Sequence, residues 1–201
     1  MLNTGFFWIL SSGAIYGLIH SALASIDAKS VALCLFKSGG MKYYLFFFVV
    51  VASITTLAYI SLSFLFPDQL IYRIPFPWWI LTGILQLGAL LGAILSMFAT
   101  KIMPFLGLDV VFNHNISTHS EKLNTGGLYR YMRHPIYSFS FILIWLSPVM
   151  TWNLLGLFIG VTLYTVIGSI FEEKKLIQAF VEDYIEYKIK TPAFFPNLIH
   201  K

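Results

Sequence analysis

The fold class is decided by residues 43–66, which read YYLFFFVVVASITTLAYISLSFLF and contain no charged side chain. A helix needs about 20 mainly apolar residues to cross a hydrocarbon core about 30 Å thick, and this stretch is long enough. Residues 5–26 and 78–100 meet the same requirement. We therefore predict that all three segments cross a membrane as helices.

A fourth apolar region, residues 136–171, is too long for a single crossing. Pro148 and Asn153 interrupt it, and residues of these types favour a turn. A tight helical hairpin is expected here, which brings the number of spans to about five. The predicted fold is an all-α integral membrane protein, in which the hairpin is followed by a cytoplasmic amphipathic helix over residues 172–190.

Lysine and arginine in the predicted loops set the expected orientation. Basic residues recur in 27–42 and 101–135, whereas 67–77 carries only Arg73. Because basic loops stay on the cytoplasmic side, the N terminus is predicted outside and the C terminus in the cytoplasm. We expect one multi-pass membrane domain, residues 1–201, in the bacterial inner membrane, with three spans in residues 1–100.

Composition excludes several classes of function. The chain is 58% hydrophobic and 11% charged, so lipid surrounds much of it. Its formal charge of +4 is spread thinly, without the basic stripe of a nucleic-acid-binding protein. Cys34 is the single cysteine, which rules out an intramolecular disulfide and a multi-cysteine metal site. No metal site and no obligate protein partner are predicted, and membrane lipids are the expected surroundings.

The most informative motif is LNTGGLYRYMRHPIY, residues 123–137, which leads directly into a hydrophobic helix. Pro135 suits the first position of that helix, and the free amides of a first turn attract anions. Arg133 and His134 add donors at the same place. The alternative is that Arg133 reaches lipid headgroups while His134 only caps the helix.

Two further features are candidates for function. Glu172 and Glu173 follow a charge-free stretch, where a carboxylate can accept hydrogen bonds from a cofactor, although helix dipoles favour acids there in any case. His20 lies within the first predicted span, where ionisable side chains are often functional. It either lines a substrate cavity or bonds as a neutral ring to a helix carbonyl. The spacing of the other histidines is unlike that of metal ligands, and we expect them to be solvated: His114, His119 and His200.

The motif at 123–137, followed by EEKKLIQAFVEDYIEYKIKTPAFFP at 172–196, resembles the catalytic core of isoprenylcysteine carboxyl methyltransferases. Phospholipid methyltransferases and methanethiol S-methyltransferase are similar in plan. The resemblance implies a methyltransferase-like core at 101–201 that binds S-adenosylmethionine. The cofactor-binding positions that it implies are Gly127, Tyr129, His134, Pro135, Tyr137, Glu172 and Glu173. The catalytic candidates are Arg133, Glu173 and His20.

The expected reaction is methyl transfer to a small thiol or a lipid-like acceptor. Isoprenylcysteine carboxyl methyltransferases carry an arginine shortly before the paired acids, whereas residues 167–171 hold no base here, so a carboxylate acceptor is disfavoured. One alternative is a haem-binding isomerase or a non-enzymatic member of the membrane group associated with nitric oxide metabolism, in which His20 would hold iron. Another is an NADPH-dependent reductase, whose turn would continue with a glycine and an acid where Ser138 to Ser140 stand.

Overall fold

The computed structural model describes residues 4–25, 44–99 and 123–196, together with residues 28, 30–32 and 34. Helices dominate these residues, as the hydropathy predicted. The helices are α1 (Thr4–Leu23), α2 (Tyr44–Leu65), α3 (Trp78–Ala99), α4 (Pro135–Trp145), α5 (Trp152–Phe180), α6 (Glu182–Lys190) and a 3₁₀ helix (Gly127–Arg130). Two short strands, β1 (Leu70–Arg73) and β2 (Val149–Thr151), pair in a two-stranded sheet that was not predicted.

The all-α membrane fold is confirmed. In the described chain, α1, α2, α3 and α5 are each long and apolar enough to cross a membrane. The first three match the predicted spans to within a few residues. The expected hairpin is present as α4 and α5, but α4 has only 11 residues and is too short to cross a hydrocarbon core by itself.

The expected boundary between the last span and the amphipathic helix was wrong. A charge-free span ends at Phe171, but α5 runs on without a break through Glu172 and ends at Phe180. Helical hydrogen bonding does not depend on whether lipid or water surrounds the turn, so charge alone does not end a helix. The break falls at Val181, whose positive φ of 46° is uncommon for a β-branched residue.

Several residues used in the sequence analysis lie outside the described part of the chain. Among the loop bases these are Lys29, Lys37, Lys42, Lys101 and Lys122. The same holds for the other histidines, His114, His119 and His200. The predicted orientation across the membrane therefore stays a prediction.

Contacts group the chain into two compact units, each of which draws on both halves of the sequence. The first contains α1, α2 and the beginning of α5 as far as Tyr164. Its core is built by Ile9, Tyr59 and Leu157. The Tyr59 hydroxyl is buried without a hydrogen-bond partner among the described residues. It lies where Gly13 and Gly160 leave no side chain, since a Cβ at either glycine would overlap it.

Asn153, at the start of α5, satisfies the end of α2 within this first unit. Its Nδ2 donates to the carbonyl of Phe66 at 3.0 Å and to that of Ser63 at 3.3 Å. Its own backbone N–H donates to the Asp68 carboxylate at 3.0 Å. The last carbonyls of a helix have no partner within the helix, so the turn predicted around Asn153 also acts as a cap for α2.

The second unit contains α3, α4, the remainder of α5 and α6. The side chain of Gln86 on α3 donates to the Leu143 carbonyl of α4 at 2.7 Å. The Phe139 ring packs where Gly92 has no side chain, with a ring carbon 2.6 Å from the position that a Cβ would take. These contacts hold α4 against α3 and thereby position the polar turn at the start of α4.

The arrangement around Tyr59 predicts a specific rescue. Gly160→Ala should lower the free energy of unfolding by about 1–3 kcal/mol through overpacking. Tyr59→Phe should restore it, because the remaining ring carbon lies 3.5 Å from the new Cβ, an ordinary contact. Unfolding of the purified variants in detergent micelles measures both effects.

Gly13→Ala is the matched control for this rescue. Its new Cβ would lie 2.9 Å from the ring carbon that carries the Tyr59 hydroxyl, and that carbon remains after Tyr59→Phe. Removing the hydroxyl should therefore rescue Gly13→Ala much less. Equal rescue of both alanine variants, or of neither, would contradict the packing described for the first unit.

Candidate active site

The turn that leads into α4 is held by a glycine at one end and by the C-terminal segment at the other. Gly127 begins the 3₁₀ helix with a φ of 58°, a conformation that glycine adopts without strain. The backbone N–H groups of Arg133 and His134 donate to the carbonyls of Pro192 and Ala193, both at 2.9 Å. Pro135 then starts α4, so the proline predicted at the first helical position is confirmed.

A buried carboxylate, that of Glu173, gathers three basic side chains. Its Oε1 accepts from Arg133 Nε at 2.8 Å and lies 3.2 Å from His134 Nε2. Its Oε2 lies 2.8 Å from Lys188 Nζ. The side chains of Glu173 and Arg133 are only 10% and 9% exposed. We call Glu173, Arg133, His134 and Lys188 the Glu173 cluster, and it joins α5, the turn and α6 in the second unit.

The guanidinium of Arg133 is engaged within the protein on every nitrogen. Nε and Nη2 face Glu173, the latter at 2.7 Å. Nη1 donates to the carbonyl of Lys188 at 3.1 Å and to that of Thr191, which satisfies the end of α6. The arrangement gives Arg133 and Glu173 a positioning role, and the catalytic roles predicted for them stay predictions.

Glu172 occupies a different environment from its neighbour. Tyr137 donates its hydroxyl to Glu172 Oε2 at 3.0 Å, and His134 Nδ1 lies 3.7 Å from the same oxygen. The Tyr137 and His134 rings stack at 5.4 Å. Glu172 is nevertheless 48% exposed. His134 therefore lies between the two acids, of which Glu173 is committed to the protein and Glu172 faces outward.

Two tyrosines of α6 belong to the site, although they were not among the site residues predicted from the sequence. Tyr184 is 1% exposed, and its hydroxyl has no hydrogen-bond partner in the part of the chain that the structure describes. Burial, with the nearby Glu173 carboxylate, raises the pKa of Tyr184 to about 12, so its phenol stays protonated. Tyr187 donates to the Tyr129 carbonyl at 2.5 Å, and burial raises its pKa also. The signal available in the sequence was the i, i+3 spacing of the two tyrosines, which places both on one helical face. Tyrosines usually find a hydrogen-bond partner when buried, so such a face can pack against a polar site.

A cavity of about 1070 Å³ lies in the same unit, beside the break between α5 and α6. It is lined by Leu123, Thr125, Arg130, Ala179, Phe180, Val181, Asp183, Glu186, Tyr187, Lys190 and Thr191. Cofactor pockets usually measure about 300–1,000 Å³, so the space is ample. None of the predicted cofactor-binding residues lines it. Thr191 connects its wall to the Glu173 cluster through Arg133, and Tyr187 connects it to Tyr129 in the turn before α4.

His20 belongs to the first unit and has its own partners there. Its Nδ1 lies 2.5 Å from the hydroxyl of Tyr164 on α5, and its ring contacts those of Tyr16 and Phe48. The partner is therefore a tyrosine rather than the helix carbonyl that was one of the two sequence alternatives. The catalytic role of His20 stays a prediction. Among the described residues, no group of three or more potential ligands could hold a metal ion.

The fold and the charged turn define the class of protein: a multi-pass membrane protein with a polar site where apolar helices end. Comparison with known proteins makes this class specific. Residues 84–183, from α3 to the start of α6, match the phospholipid methyltransferase family. The chain thus belongs to the membrane methyltransferases of the phospholipid and isoprenylcysteine type, as the resemblance predicted.

The similar proteins are methanethiol S-methyltransferases. Methanethiol S-methyltransferase 1 of Bradyrhizobium diazoefficiens is 32% identical over 103 residues, which are 50% of this chain and 36% of that protein. Methanethiol S-methyltransferase 2 of the same organism is 30% identical over 122 residues, 60% of this chain and 47% of that protein. The Pseudomonas deceptionensis enzyme is 35% identical over 71 residues, 35% and 27% of the two chains. The chain spans less than half the length of these relatives, and no solved structure matches it.

The Glu173 cluster predicts that substitutions of the two neighbouring acids will change the free energy of unfolding by very different amounts. Glu173→Gln leaves the buried Arg133 guanidinium without its counter-charge, so it should lower the free energy of unfolding by about 3–5 kcal/mol. Glu172→Gln, the matched control, should cost less than about 1 kcal/mol because its side chain is half exposed. Denaturation in detergent micelles measures both values, and equal costs would contradict the assignment of Glu173 as the buried partner.

Proposed function

We propose that this protein is an integral-membrane enzyme that transfers a methyl group from S-adenosylmethionine to a small thiol or another lipophilic nucleophile. One observation carries the proposal. The segment that matches the methyltransferase family, residues 84–183, supplies most of a preorganised site in which the Glu173 cluster holds an outward-facing acid, Glu172. The family and the relatives are methyltransferases, which favours this function over a haem-binding isomerase or a nicotinamide-dependent reductase.

The residues present fit the proposed cofactor. Its ammonium and ribose hydroxyl groups are hydrogen-bond donors, and Glu172 offers a partly exposed carboxylate for such groups. The protonated Tyr184 hydroxyl is a buried donor, and no hydrogen-bond partner for it lies among the described residues. Amides of the first turn of α4 favour an anionic group such as the cofactor carboxylate. When bound, the cofactor supplies an electrophilic methyl group on a positively charged sulfur.

The protein residues contribute mainly orientation. His134 is held by Glu173 on one nitrogen and stacks on Tyr137, which in turn fixes Glu172. Glu172 is thereby positioned by residues that are themselves locked, as precise orientation of two reactants requires. The leaving sulfur needs no proton, whereas a thiol acceptor must release its own proton to solvent as its sulfur bonds to the methyl carbon and the bond from that carbon to the donor sulfur breaks.

The charge pattern supports an acceptor that is not a carboxylate. The Arg133 guanidinium is fully engaged with Glu173 and two carbonyls, and Lys188 is paired with Glu173 as well. A substrate carboxylate buried without a cation would cost several kcal/mol. A thiol needs no fixed counter-charge, since it can bind as the neutral acid. The names of the relatives, methanethiol S-methyltransferases, agree with this acceptor class.

Cofactor binding tests the site. In isothermal titration with S-adenosylhomocysteine, Glu172→Gln should weaken binding about tenfold or more, because a hydrogen bond to a charged group is lost. Asp183→Asn, on the wall of the large cavity, is the control and should bind as the unsubstituted protein does. Weaker binding by Asp183→Asn but not by Glu172→Gln would place the cofactor in that cavity instead. If the unsubstituted protein did not bind S-adenosylhomocysteine, S-adenosylmethionine would not be the methyl donor.

Acceptor choice is tested by competition. With labelled S-adenosylmethionine as the donor, methanethiol or a longer alkyl thiol should yield labelled thioether, while a farnesylcysteine analogue should yield little methyl ester. The physical reason is that Arg133 and Lys188, the nearby cations of the Glu173 cluster, are already paired with Glu173. Robust ester formation without thioether would show that a carboxylate is accepted after all.

A further inference from the structure

The short helix α6 presents three different surfaces. Tyr184 and Tyr187 form a buried face toward the candidate site. A polar face follows, formed by Glu182, Asp183, Glu186 and Lys190. On the third side lie Ile185 and Ile189, which are spaced four residues apart and are 45% and 81% exposed. A stripe of branched aliphatic side chains on a charged nine-residue helix is unusual for a surface that faces water.

Contacts with α5 establish the level at which this stripe lies. The charge-free part of α5, residues 152–171, has 20 residues, enough for a hydrocarbon core of about 30 Å. Lys174 extends its ammonium over the Phe171 ring, 5.3 Å from the ring centre, as lysines do where the hydrocarbon ends. Glu173 therefore stands at the edge of the apolar part of α5.

From its beginning at Glu182, α6 returns toward that edge. Lys188, in its last turn, lies 2.8 Å from Glu173, and Arg133 bonds the Lys188 carbonyl at 3.1 Å. Ile189 is the next residue, and it is the most exposed member of the stripe. The stripe therefore approaches the membrane edge at its Ile189 end.

We propose that the stripe Ile185–Ile189 docks on the surface of the bilayer that α5 crosses, with Ile189 inserted deepest. Lipid is the occupant because the exposed apolar face of α5, Ile167, Ile170 and Phe171, ends at the same level. A helix with separate polar and apolar faces binds in this way at the headgroup boundary. Lipid contact on one side of α6 then steadies the element that supplies Lys188, Tyr184 and Tyr187 on the other.

Spin labels test this proposal without relying on methyl transfer. In a Cys34→Ser background, which leaves no native cysteine, single cysteines replace Ile189 and Ile185, and Lys190 and Asp183, about 100° or more around the helix from Ile189, serve as controls. The labelled full-length proteins are reconstituted in phospholipid vesicles. Accessibility to oxygen, which concentrates in lipid, is compared with accessibility to a water-soluble nickel chelate.

The ratio of oxygen to nickel accessibility should be several-fold higher at position 189 than at position 190, with position 185 between them. An equal ratio at positions 189 and 190 would overturn the proposal, since the stripe would then face water. Low accessibility to both reagents at position 189, with broadening between labels, would also overturn it, in favour of contact with a second copy. Loss of cofactor binding with the lipid ratio intact would count against the proposed function alone.

Discussion

The structure of the candidate site depends on one interaction, the pairing of the buried Glu173 carboxylate with Arg133 and Lys188, beside which His134 Nε2 lies 3.2 Å from Glu173 Oε1. Its partners come from the turn before α4 and from α6, so the carboxylate of α5 links three parts of the second unit through a single group. Burying these charges is costly, and hydrogen bonds at each oxygen are needed to offset the loss of water. Arg133 also donates hydrogen bonds to the carbonyls of Lys188 and Thr191 at the end of α6, which extends the constraint to the segment around Thr191.

This constraint separates the tasks of two neighbouring acids. Glu173 is fully paired within the protein, whereas Glu172 remains partly exposed on the adjacent face, where Tyr137 orients it. His134 contacts both acids, so any group bound at Glu172 is one side chain away from the rigid cluster. Such a division suits the proposed methyl transfer, because holding the donor and the acceptor in the right orientation lowers the activation barrier.

Much of the fold could be predicted, because hydropathy and length alone identify membrane spans, and residues 43–66 became α2 almost unchanged. The end of α5 could not be predicted. The acids after Phe171 suggested a helix boundary, but helical hydrogen bonding continues through them to Phe180. The paired acids were recognised, but their roles were not separable from the sequence. Neighbours on a helix differ by about 100° in direction, and only packing shows which one points inward. The Tyr164 partner of His20 is 144 residues away, beyond any local pattern.

The central claim, that Glu173 and Arg133 act as one buried unit, is tested most directly by a double-mutant cycle of unfolding free energies in detergent micelles. The variants are Glu173→Gln, Arg133→Met and the two together, with Lys188 and His134 unchanged. The account predicts strong coupling, so that the double variant costs little more than either single one, because removing the first partner already loses the pair. Single costs that add within about 0.5 kcal/mol, as for independent sites, would contradict it.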